Sequence, residues 1–143
     1  MVSRYGLIGV GVLLFIATPA LAAAFEAQLD PAPFDASNRA DVINGTGHVT
    51  ATLDGDTLRV QGDFTGLSSP AVGASVRIGL LKGVPGDAIG ALVVKHVQAG
   101  EFSGSLKLNP QQSAAMKKQA LYVRIDSELA PDGSLQGWLE GTH

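Results

Sequence analysis

At 143 residues without a cysteine, the chain has room for one small domain and no disulfide to brace it. Ten basic and thirteen acidic residues give a net charge of −3. They are scattered, with no basic stripe to neutralise phosphates, which excludes nucleic acid and anionic membrane surfaces as expected partners.

The N-terminal segment reads as a secretory signal. Arg4 supplies a short positive start, Tyr5–Ile16 carries no charge, and Thr18-Pro19 breaks the apolar run. Ala20-Leu21-Ala22 then has the small-x-small spacing of a cleavage site. A retained anchor would need about 20 apolar residues to span a bilayer, and this core is shorter. Residues 1–24 are therefore expected to be removed, with cleavage after Ala22 or Ala24, leaving a domain over residues 25–143. Loss of Arg4 leaves nine basic residues against thirteen acidic, a net charge of −4. With no cysteine to acylate, the expected product is soluble, periplasmic or extracellular, and without a membrane span.

Beyond the signal, short alternating runs separated by Gly, Pro, Asp and Asn predict an antiparallel all-β domain. Phe25–Leu29 alternates cleanly, and Pro31, Pro33, Asn38 and Asn44 mark a loop. Val49, Ala51 and Leu53 share one strand face, opposite His48, Thr50 and Thr52. Asp54-Gly55-Asp56 is a hairpin signal, after which Leu58, Val60, Gly62 and Phe64 point inward. Gly66–Gly73 reads as a loop around Pro70. Ala74–Leu80 places Val76, Ile78 and Leu80 on one face and Ser75 and Arg77 on the other. Ile89–Val97, apolar almost throughout, reads as a central strand, and Glu101–Leu108 turns Phe102, Leu106 and Leu108 inward.

One segment breaks this rhythm. Asn109-Pro110-Gln111-Gln112 offers an N-cap, a proline in the first turn and a Gln to return the capping bond, which predicts a helix over about 110–119. Leu121–Asp126 and Ser134–Glu140 close the chain as strands around the Pro131-Asp132-Gly133 turn. On the last strand Leu135, Gly137 and Leu139 face in, and Trp138 faces out.

Little of this inventory reads as chemistry. No serine sits in a Gly-x-Ser-x-Gly elbow, and Phe102-Ser103-Gly104-Ser105 is better explained as a strand with a wet face. His48, His96 and His143 show no i,i+2 or i,i+4 pairing of the kind that gathers metal ligands. Asp54/Asp56 and Asp126/Glu128/Asp132 lie near turns, where carboxylates more often cap the backbone than hold calcium. Asn44-Gly45-Thr46 matches a glycosylation sequon. Trp138 and Tyr122 form a candidate binding surface, for carbohydrate if the two rings lie coplanar on one face.

Several strings, in order, resemble the chordin-type (CHRD) domain. Phe25-Glu26-Ala27-Gln28-Leu29 is similar to its opening strand, and Gly45–Leu53 to its Gly-rich second strand. Leu106-Lys107-Leu108-Asn109-Pro110 followed by Ala120-Leu121-Tyr122-Val123 is the most specific match, and Pro131–Leu139 resembles the family's closing motif. The resemblance implies an Ig-like or superoxide-dismutase-like β-sandwich of about seven or eight strands. It also implies a polar or metal site where members carry Ala-His-x-His and His-Thr. Here those positions hold Ser75, Arg77 and Asp126 in place of histidine, so an Arg77–Asp126 bridge is expected where others hold imidazoles. The reading is an exported, non-enzymatic binding or structural module without a cofactor. Its expected partner is a macromolecule, protein rather than carbohydrate. The alternative is a metal-binding or redox-accessory protein.

Overall fold

The computed structural model describes residues 22–36, 39 and 44–142. Residues 1–21, which hold most of the expected signal, lie outside the described residues, as do Asn38 and His143. In chain order the elements are β1 (Ala23–Pro31), β2 (Thr46–Asp54), β3 (Thr57–Thr65), β4 (Ala71–Ile78), β5 (Asp87–Val94), β6 (Gly100–Lys107), α1 (Pro110–Lys117), β7 (Leu121–Ser127), β8 (Leu135–Trp138) and β9 (Glu140–Gly141).

The alternation read from the sequence sets the faces. Val49, Ala51 and Leu53 on β2 and Leu58, Val60 and Phe64 on β3 are buried, and β2 and β3 pair from Thr46↔Thr65 to Asp54↔Thr57. A two-residue connection, Gly55-Asp56, closes that hairpin with Gly55 at a φ of 64°. Gly62 also faces inward, and the Phe102 ring fills the space its side chain would take. Leu29, Val76, Ile125, Leu135 and Leu139 complete the interior at full burial. Each such aliphatic side chain contributes about 1.5–3 kcal/mol relative to exposure.

The all-β class with one short helix holds, but the strands form a closed barrel rather than an open sandwich. The order is β2-β3-β6-β5-β4-β7-β8-β1, and β1 also pairs with β2, which completes an eight-stranded ring; β9 adds to β1. Two strands switch partners to achieve this. β1 pairs with β2 over Ala23–Leu29 and then with β8 through Asp30 and Pro31. β5 pairs with β4 up to Leu92 and with β6 through Val93 and Val94. Each half keeps a sandwich-like sheet, but its edges are covered at these corners, which removes free strand edges.

Local departures follow from the same geometry. β4 starts at Ala71, inside the expected loop, with a register shift between Ala71 and Gly73 that leaves Val72 exposed. β4 also ends at Ile78, so Leu80 is 89 % exposed instead of inward-facing. β5 stops at Val94 and is not buried throughout, because Val93 lies on the outer face at the corner and is 74 % exposed. The last strand is interrupted at Leu139, whose N–H donates to the Leu121 carbonyl. The helix forms as expected: the Asn109 side chain accepts from the Gln112 N–H at 2.8 Å, and the Gln112 side chain accepts from the Asn109 N–H at 3.0 Å. No helix among the described residues is long and apolar enough to cross a membrane.

Candidate functional site

Two outward faces of the barrel carry polar side chains, and they differ in kind. On the first, formed by β4, β7 and β8, the register sets Gly73 opposite Asp126, Ser75 opposite Arg124, Arg77 opposite Tyr122, and Tyr122 opposite Trp138. Ser75, Arg77 and Asp126 therefore share a face, but the expected Arg77–Asp126 bridge is not made. Asp126 is taken by Arg124, two residues along its own strand, through bonds of 2.7 Å from Nε and 3.3 Å from Nη2. Alternation puts i and i+2 on one side of a strand, so Arg124 needs no sheet crossing to reach its partner. Burial raises the Asp126 carboxyl above its ordinary value, against the lowering effect of the Arg124 hydrogen bond and charge and of the Arg77 charge.

Arg77 turns instead to the loop between β4 and β5. Its Nε donates to the Gly86 carbonyl at 3.0 Å, and its Nη1 lies 3.5 Å from Ser75 Oγ. The Tyr122 hydroxyl holds the same glycine twice, donating to its carbonyl at 3.1 Å and accepting from its N–H at 3.0 Å. Lys82 on this loop pairs with Glu140 at 2.9 Å. The loop is thereby fastened over the sheet, and Tyr122 is only 1 % exposed. Its ring stacks on half-buried Trp138 with centroids 4.2 Å apart and planes tilted 33°. The Trp138–Tyr122 surface expected from the sequence is thus a covered pair: Tyr122 offers no ring face to a ligand, because the loop occupies it.

The second face, on β2, β3, β6 and the end of β5, is open and concave. One row runs His48–Asp63–Glu101 and the next Thr50–Gln61–Ser103–Val93, each partner directly opposite in the ladder. The Lys95–Ala99 segment rises beside them as a wall and encloses a groove of about 940 Å³. That wall is fixed in place. The Ala71 N–H donates to Val97 O at 2.8 Å, the Gln98 amide bonds Leu67 O at 3.0 Å, and His96 pairs with Glu128 at 2.7 Å. Nothing in the residue types marked this groove beforehand. Its floor is the ordinary polar half of three alternating strands, and only the ladder register brings them side by side.

The two described histidines, His48 and His96, do not assemble. His48 lies 3.5 Å from Glu26, His96 is at the wall with Glu128, and each pair is exposed. Among the described residues no three His, Cys, Asp or Glu side chains are gathered as a metal ion requires. Asp56 sits 3.8 Å from Lys107 at the hairpin, and Asn44 donates to Ser68 Oγ at 2.8 Å.

The CHRD domain family matches residues 25–139, most of the chain and the whole of the ring from Phe25 on β1 to Leu139. The chain belongs to the CHRD family. No curated protein and no solved structure matches it. In this CHRD domain the positions singled out by resemblance, Ser75, Arg77 and Asp126, share the face on which the β4–β5 loop is fastened to Arg77 and Tyr122. The open groove lies on the other sheet.

Proposed function

We propose that this CHRD domain is an exported, non-enzymatic binding module that engages a protein partner in the periplasm or outside the cell. Family membership supports the binding or structural role. The observation that carries the reading is the groove on β2, β3 and β6. Its polar side chains converge from neighbouring strands, while its wall is held by bonds to Leu67, to Ala71 at the start of β4 and to Glu128. A prearranged concave surface with a few directed polar groups is what recognition needs. The signal-like segment Met1–Ala22 supports export. A metal-binding or redox-accessory role has less support, since His48 and His96 each face a single carboxylate at separate places.

Affinity capture from the exported fraction, comparing the wild type with Gln61→Arg/Ser103→Arg, tests this. Both substitutions fall on exposed floor positions and fill the groove without touching the core. A protein retained by the wild type and lost with the variant supports the reading. Equal capture by both forms would remove the groove from the account.

A further inference from the structure

We infer that the groove docks a partner segment through an arginine or lysine side chain, its cationic head seated between Asp63 and Glu101. The inference rests on the binding reading above and specifies the partner's chemistry. Asp63 and Glu101 are directly opposite one another across β3 and β6, both exposed on the groove floor. Like charges in that position destabilise a sheet. Neither carboxylate forms an ion pair with any described residue: His48, the other neighbour of Asp63, leans to Glu26, and Lys95 reaches no carboxylate. The fold sets no cation against either carboxylate, and a cation placed between the two would complement both.

The rest of the groove suits the remainder of such a side chain. Val93 is 74 % exposed beside Ser103, and Val97 stands in the wall. Together they offer an apolar shoulder for the methylene stem that long basic side chains lay along hydrophobic surface. A guanidinium fits best, because its planar fork can donate to two carboxylates at once. The chain's acidic balance, net −4 after removal of the segment bearing Arg4, favours approach of a basic partner in the same sense.

The test uses the mature protein and two probes, acetyl-Gly-Ser-Arg-Ser-Gly-amide and the same peptide with citrulline, which keeps the shape and removes the charge. Binding is followed at low ionic strength by backbone amide shifts. The arginine peptide is expected to move Gln61–Asp63 and Glu101–Ser103. Binding should be at least about tenfold weaker for citrulline and for Asp63→Asn/Glu101→Gln with either peptide. The double variant lies on the exposed face, and its unfolding midpoint, measured alongside, shows that it is folded. Equal affinity for the two peptides, absence of binding, or shifts confined to the Leu80–Leu81 loop would overturn the inference. In each of those cases partner capture that still depends on Gln61 and Ser103 would leave the broader binding reading standing.

Discussion

Arg124 closes on Asp126 two residues along its own strand, and so takes the carboxylate that Arg77 on the adjacent strand was expected to hold. Both side chains are mostly covered, 17 % and 18 % exposed. A charge-assisted hydrogen bond in such a setting contributes about 1.5–3 kcal/mol. A double-mutant cycle on Arg124→Ala and Asp126→Ala, read by denaturant unfolding, is expected to give a coupling of about that size. The Arg77/Asp126 cycle should give a clearly smaller one. The reverse ranking would restore the cross-strand bridge.

The same carboxylate makes stability depend on pH in a stated direction. Burial holds the Asp126 pKa above its ordinary value of 3.8, so the folded state takes up a proton more readily than the unfolded chain. Its contribution is fully present below the unfolded value and is lost as pH rises through the raised folded value. Unfolding free energies of the wild type and Asp126→Asn, compared across that window, should diverge in favour of the variant as pH increases. A difference that moves the other way would show that Arg124 outweighs burial.

Gly86 is where the loop over the first face is tied down. A Cβ there would come within 1.8 Å of the Ile78 carbonyl oxygen, and the residue's own N–H and C=O are both held by Tyr122. Gly86→Ala is therefore expected to cost about 1–3 kcal/mol, as overpacking does. The chain's one tryptophan, Trp138, stacks on Tyr122 and lies against Gly79 at the loop's other end. Its fluorescence should shift as the loop lifts. An unchanged midpoint and unchanged emission would show that the loop does not cover the pair in solution.

Much of the fold was readable because alternation is a local property. Val49, Ala51 and Leu53, Leu58 and Val60, and the Asn109–Gln112 cap announce their faces and ends within a few residues. Barrel closure was not, because it depends on β1 and β5 changing partners at Asp30 and Val93, and nothing in an alternating run marks where the neighbour changes. The candidate site was less legible for the same reason. Tyr122 reads as an outward residue and is one, but the Gly79–Gly86 loop buries it from outside the barrel. Arg124-x-Asp126 was a missed contact with a sequence signal, two opposite charges at strand period 2.

The start of β1 bears on where the expected signal would be cut. Ala23 pairs with Leu53 and Ala24 with Thr52, and Thr142 donates to the Ala24 carbonyl through both its N–H, at 2.9 Å, and its hydroxyl, at 3.3 Å. Cleavage after Ala24 would remove those contacts, whereas cleavage after Ala22 keeps them. Intact mass of the exported protein is expected to place its first residue at Ala23. A first residue of Phe25 would contradict this, and a mass retaining Met1–Ala22 would contradict export by cleavage.

Binding through the open groove on β2, β3 and β6, as proposed for this CHRD domain, can be read directly. A photo-crosslinking residue placed at Gln61, on the groove floor, reads it in the exporting cell, with the same residue at exposed Gln111 on α1 as the control. A discrete protein adduct is expected from position 61, absent from position 111 and suppressed when Ser103→Arg is added. No adduct at 61, or equal adducts from both positions, would contradict it.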